Sequence, residues 1–153
     1  MRRSLASALC HPPSQPLQRR LASAAGPRAG PLHGIRVVEM AGLAAVPHVG
    51  MMLADFGAEV TRIDSSATAP HYGTTLLGRG KRVVALDLKA AAGHEAALRL
   101  AEEADVLVEG YRPGVMERLG LSPADLADRN PTLVYARVTG YGQASRAMSL
   151  TRH

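Results

Sequence analysis

Ile35-Arg36-Val37-Val38-Glu39-Met40 runs into an apolar series at Val46, Val49, Met52, Leu53 and Phe56, and then, past Gly57, into Glu59-Val60-Thr61-Arg62-Ile63. The first segment is apolar and β-branched, interrupted only by Arg36 and Glu39, and predicts a buried strand. The second has helical spacing, with Gly57 as its C-terminal stop. The third is again a strand.

The alternation continues downstream. A connection containing Gly and Thr leads to Arg82-Val83-Val84-Ala85-Leu86-Asp87-Leu88, a third strand. A helix over about 90–104 places Ala97, Leu100, Ala101 and Ala104 on one face and Glu95, Arg99, Glu102 and Glu103 on another. Glu95 and Arg99 form an i, i+4 pair in the favourable orientation. Asp105-Val106-Leu107-Val108-Glu109 is a fourth strand, and Pro113-Gly114 opens a short helix to about Leu119. Ser122-Pro123-Ala124-Asp125 supplies an N-cap, a proline at the first helical position and an acid at the third, so another helix starts there. Residues 133–138 form the fifth strand. Strands alternating with helices predict an α/β domain: a mostly parallel sheet with flanking helices.

Of the 153 residues, 18 are Lys or Arg and 13 are Asp or Glu, a formal charge of +5. The excess is local. Residues 1–30 hold Arg2, Arg3, Arg19, Arg20 and Arg28 and no acid, while the 13 remaining basic side chains and all 13 acids follow. The balanced body is a poor basis for a phosphate-tracking surface, so nucleic acid is not an expected partner. No apolar run approaches the roughly 20 residues of a membrane span. The single Cys10 cannot close a disulfide within the chain. Arg-rich, acid-poor, Ser-containing composition makes residues 1–30 read as a transit peptide with a mitochondrial destination, the plainer alternative being a disordered basic tail.

In an open parallel sheet, ligands bind beyond the carboxyl ends of the strands. The loops gathering there are 41–47, 64–67, 87–89, 109–114 and 139–143. Three of them contain glycine, which lets backbone amides approach a phosphate. Lys89, Arg112 and Arg118 put cations near this edge, and the helix opening at Pro113-Gly114 adds its positive end. An anionic, phosphorylated ligand fits this composition; ordinary βα-loop glycine and surface charge is the alternative.

Gly140-Tyr141-Gly142-Gln143-Ala144-Ser145 has two glycines of a dinucleotide fingerprint but not the third, and it follows the last strand. The six histidines and the cysteine show no metal-ligand spacing, and there is no Gly-x-Ser-x-Gly elbow. His48 and His94 fall in helices as packing or surface residues, and His71 has no evident partner.

Gly34-Ile35-Arg36-Val37-Val38-Glu39-Met40-Ala41-Gly42-Leu43 and Leu53-Ala54-Asp55-Phe56-Gly57-Ala58-Glu59-Val60 resemble the opening of the class III CoA-transferase (CaiB/BaiF-type) superfamily. Leu77-Gly78-Arg79-Gly80-Lys81-Arg82 with Leu86-Asp87-Leu88-Lys89 narrows this to the α-methylacyl-CoA racemase branch. So do Val108-Glu109-Gly110-Tyr111-Arg112-Pro113-Gly114-Val115-Met116-Glu117-Arg118 and Tyr135-Ala136-Arg137-Val138-Thr139-Gly140-Tyr141-Gly142-Gln143. The resemblance covers about 32–143 and implies a Rossmann-like α/β fold in an interlocked homodimer, acting on an acyl-CoA thioester. It makes residues 31–143 the CoA-binding part and 144–153 a divergent tail. No separate cofactor is implied, coenzyme A being part of the substrate.

Carried over by position, Leu86, Asp87, Leu88, Lys89, Gly110, Tyr111, Arg112 and Arg118 are the implied CoA contacts. Two departures stand out: the family's Arg after the Asp ending the second strand is Ser65 here, and Ala45-Val46-Pro47 replaces Pro-Gly-Pro, costing the first loop its permissive glycine. The family's chemistry inverts C2 of a 2-methylacyl-CoA through an enolate, with an acid/base pair on opposite faces. Counted without gaps from Gln143, the family's His falls on His153, while its partner Asp falls further along. The expectation is therefore a C-terminally truncated form without full catalysis. The alternatives are a non-catalytic CoA-binding or dimer-interfering isoform, a CoA-transferase of the same superfamily, or an unstable fragment with an uncovered sheet edge.

Overall fold

A computed structural model describes residues 30–65, 76–140 and Gly142. Among these residues there are five strands, β1 (Arg36–Met40), β2 (Glu59–Asp64), β3 (Lys81–Ala85), β4 (Val106–Glu109) and β5 (Val134–Arg137). The helices are α1 (Ala45–Asp55), α2 (Ala91–Glu102), α3 (Val115–Arg118) and α4 (Pro123–Ala127), with a 3-10 turn at Leu76–Gly78. The leader, His71, the tail and His153 lie outside the described residues.

The sheet order is β3-β2-β1-β4-β5, and every neighbouring pair is parallel. The chain steps outward from β1 to β3 and then crosses back to place β4 on the other side of β1. At that reversal the loops leaving β1 and β4 diverge, opening a crevice at the carboxyl edge.

Both faces of the sheet are covered, which explains why β1 reads as a nearly continuous apolar run. Val37, Val60 and Val108 pack with Val46 of α1 on one face. Val38, Met40, Ile63 and Leu107 pack on the other, against Ala97, Leu98 and Ala101 of α2, Met116 of α3 and Leu126 of α4. Leu98, rather than the expected Leu100, is fully buried on α2; Leu100 packs at the margin of that cluster. The α4 start is a capping box: Ser122 Oγ accepts from the Asp125 amide, and the Asp125 carboxylate accepts from the Ser122 amide at 2.8 Å.

Two element boundaries differ from the sequence reading, and both matter at the carboxyl edge. β3 stops at Ala85 rather than Leu88, because β2, its one strand neighbour among the described residues, ends opposite it at Asp64. The Leu86 amide makes a last bond to the Asp64 carbonyl, and 86–89 then turn away as a loop. The helix expected from Pro113-Gly114 is reduced to the single turn α3. Arg112 to Val115 instead form a type II turn, closed by Val115 N–H donating to the Arg112 carbonyl at 3.1 Å, with Gly114 at φ 82° and ψ −3°. A one-turn helix has little dipole, so the expected electrostatic contribution from that helix start is not available.

The lost glycine of the first loop also falls differently. Val46 lies inside α1 and is buried, so its position needs no left-handed backbone. The strained residue is Ala44, the N-cap of α1, at φ 43° and ψ −72°. Ala44→Gly is expected to stabilise the fold by about 1 kcal/mol, because glycine removes the Cβ clash that such a backbone imposes. Urea denaturation checks this, and an unchanged or lower midpoint would contradict it.

Candidate functional site

A cleft of about 580 Å³ opens at the carboxyl edge of the sheet. Its walls come from four places: Ala41 to Leu43 after β1, Arg62 to Ser65 at the end of β2, Leu86 to Lys89 after β3, and Tyr111 with Val115 and Leu119 on the β4 side. Ile63, Leu86, Leu88 and Tyr111 make an apolar wall, and Asp64, Asp87 and Lys89 supply charge. Size and composition suit part of an organic ligand that is apolar along its length and ionic at one end.

Beneath the cleft lies a buried ionic network. Arg62 and Glu39 are opposite residues on β2 and β1 and are 1% and 0% exposed. Arg62 donates through Nε to Asp64 Oδ2 at 2.9 Å, through Nη1 to Glu39 Oε1 at 2.5 Å, and more weakly to the Gly42 carbonyl at 3.5 Å. Lys81 Nζ reaches across to Glu39 Oε2 at 2.6 Å and to the Pro47 carbonyl at 2.7 Å. Two carboxylates thus meet two cations, tying the ends of β1 and β2, the start of β3 and the first turn of α1. Burial opposes the charge on Arg62 most strongly, yet the bonds to Asp64 and Glu39 outweigh it and its pKa is raised. At Lys81 burial prevails over the help from Glu39, and its pKa is lowered. The Tyr111 hydroxyl is pushed up by burial and, secondarily, by the nearby Asp64 charge.

Five of the eight expected contacts line the cleft: Leu86, Asp87, Leu88, Lys89 and Tyr111. Asp87 Oδ1 accepts from the Lys89 amide at 2.9 Å, an Asx turn that holds the loop in shape. Gly110 stands behind the wall. A Cβ there would lie 2.7 Å from Val46 Cγ2, so glycine lets α1 approach β4. Arg112 and Arg118 are exposed and are not brought to the lining. Arg112 begins the type II turn, and Arg118 folds back over Gly114.

Glu39, Arg62, Asp64 and Lys81 were not among the sequence candidates. The available signal was charge inside strands otherwise read as buried, since a charge there needs a partner. What sequence could not supply was the partner's identity, set by the β1–β2 register and by the reach of Lys81. Among the described residues no group of three or more His, Cys, Asp or Glu could hold a metal ion. None of the described helices is long and apolar enough to cross a membrane.

Residues 32–150 match the family model described as CoA-transferase family III. An alpha-methylacyl-CoA racemase from Mus musculus is 48% identical over 122 residues, covering 80% of this chain and 31% of that protein. A CaiB/baiF CoA-transferase family protein from Caenorhabditis elegans is 47% identical over 122 residues, covering 80% of this chain and 35% of the relative. The crystal structure of Rv3272 from Mycobacterium tuberculosis superposes with a TM-score of 0.71 at 41% identity, covering 80% of this chain and 37% of that one. The chain spans about a third of the length of these relatives. With the model matched over most of the sequence and the parallel fold shared with a solved relative, the chain belongs to CoA-transferase family III.

Proposed function

We propose that the chain binds the coenzyme A portion of an acyl-CoA thioester in the carboxyl-edge cleft, and that the reaction it serves is inversion at C2 of a 2-methylacyl-CoA. The observation carrying this reading is the convergence of Leu86, Asp87, Leu88, Lys89 and Tyr111 on one cleft. These residues come from two motifs, after β3 and after β4, distant in sequence and adjacent in space.

In this reading the apolar wall of Ile63, Leu86, Leu88 and Tyr111 packs the ligand's uncharged body, while the Lys89 ammonium attracts its phosphates. The wall also excludes water from one side. The thioester acidifies the α-proton, and a base within hydrogen-bonding reach removes it before an acid returns a proton to the other face. His153 is the residue we assign to one of these roles.

Calorimetry of the full chain with coenzyme A tests the binding: saturable heat below millimolar CoA is expected, and none at millimolar CoA would overturn the reading. The family's description as CoA-transferases favours a second reading, transfer of CoA between carboxylic acids. Isotope tracing separates the two. Deuterium uptake at C2 from deuterated water marks racemisation, and labelled CoA passing to a free acid marks transfer.

A further inference from the structure

We propose that Glu109 is a positioning residue for the cleft, setting Tyr111 and α3 from a buried place behind its wall. The proposal rests on the acyl-CoA reading of that cleft. Glu109 ends β4, is 2% exposed and does not itself line the cleft. Its two oxygens meet one hydrogen-bond donor and one cation at ion-pair distance. Oε2 accepts from the Tyr111 amide at 2.7 Å, and Oε1 lies 3.2 Å from Nε of Arg137 at the end of β5. Arg137 continues through Nη2 to Oε1 of Glu117 at 2.6 Å, on the helix that contributes Val115 to the cleft. The Val138 amide donates to the Glu109 carbonyl at 2.8 Å, fastening the same residue to β5 through its backbone. One carboxylate therefore joins the loop after β4, the end of β5 and α3.

The chemistry requires a carboxylate. Both neighbours of the Glu109 head group are donors, and only an ionised carboxylate presents acceptors on both sides. An amide of the same shape either turns its NH2 toward Tyr111, leaving that amide unpaired, or sets its NH2 against the Arg137 guanidinium and removes the charge pairing. Loss of the Tyr111 bond frees the loop that carries the ring; loss of the charge pairing with Arg137 loosens α3. Neither change removes an atom that touches the ligand.

The groups facing Glu109 are Arg137, Glu117, Tyr111 and, beyond Arg137, Tyr135, whose ring centre lies 5.4 Å from the Arg137 guanidinium carbon. Burial raises the Glu109 pKa most, Glu117 adds slightly, and the Tyr111 amide and Arg137 oppose. The carboxylate consequently takes up its proton at a higher pH than a solvated Glu. On acidification one of its two acceptors becomes an O–H donor, at a pH where a solvated Glu is still ionised.

The test compares the full wild-type chain with Glu109→Gln. Coenzyme A affinity is measured by calorimetry from neutral pH downward, and exchange of the Tyr111 amide is followed without ligand. The variant is expected to bind at least about tenfold more weakly at neutral pH, with faster Tyr111 exchange and a cooperative melt. As pH falls, the wild-type affinity should drop toward that of the variant, so that the ratio of the two Kd values shrinks. A structural role alone would not produce that convergence. Should Glu109→Gln not fold, Arg137→Gln, at a partly exposed site, carries the same affinity and exchange tests. Equal CoA affinity in wild type and variant at neutral pH would overturn the proposal while leaving the cleft reading intact. Wild type failing to bind CoA, with Tyr111 exchange still accelerated in the variant, would overturn the cleft reading and with it the role of Glu109 in binding.

Discussion

Lys81→Met is expected to destabilise the fold by about 3–5 kcal/mol, the range for removing one partner of a buried ion pair. The Lys81 side chain is fully buried, and its ammonium reaches both Glu39 and the Pro47 carbonyl. Methionine fills a similar volume but leaves Glu39 with only Arg62, and leaves the Pro47 carbonyl without this donor. A loss of that size is a large share of the 5–15 kcal/mol that ordinarily holds a domain together. Urea denaturation measures it. The double variant Glu39→Gln with Lys81→Met should recover part of the loss, because the charge left behind has been removed as well. A single-variant loss below about 1 kcal/mol would mean that water reaches Glu39 and relieves it.

Gly50→Ala carries the second large effect, with a sign opposite to helix propensity. Within an exposed helix the exchange would add up to about 1 kcal/mol. Here a Cβ on Gly50 would stand 1.9 Å from Glu39 Oε2 and 3.1 Å from Lys81 Nζ. Glu39 is held on both oxygens and cannot swing aside without breaking a bond to Arg62 or Lys81. We expect a net loss of about 2–3 kcal/mol, as for other overpacked interiors, seen as a lower melting temperature. A rise in melting temperature would show that α1 can lift away from the sheet at little cost.

Both variants bear on one device, and it is the part of the molecule that the sequence concealed best. The period-2 and period-3.6 patterns are visible because they reflect burial of one residue at a time: Val37, Val38 and Met40 read as strand, and Val46, Val49 and Leu53 as helix, although Met51 rather than the expected Met52 and Phe56 turns inward. Glu39 and Arg62 are visible only as exceptions to that pattern. Their meaning depends on a β1–β2 register that places them opposite each other and on a lysine more than forty positions away in the chain.

The site divides in the same manner. Leu86 to Lys89 and Tyr111 could be picked out, since they follow strands whose carboxyl ends gather in any open parallel sheet. Arg112 and Arg118 belong to the same motif, yet a type II turn at Pro113-Gly114 directs that segment differently from the expected helix, and both cations stay outside the lining. Glu109 read as the polar end of a strand. Its role at the junction of Tyr111, Arg137 and Glu117 follows from β5 lying beside β4.

By itself, then, the sequence determined the alternation of strands and helices, the parallel character of the sheet, the location of its loops and the family whose motifs those loops carry. These are properties of short stretches, each set by its own hydrophobic period and turn residues. The tertiary structure alone decided the strand order, the end of β3 opposite Asp64, the neutral ionic floor under the cleft and the carboxylate that braces its wall. Each of these depends on groups brought together across the sheet, where burial removes water and makes the identity of the facing partner the dominant energetic fact.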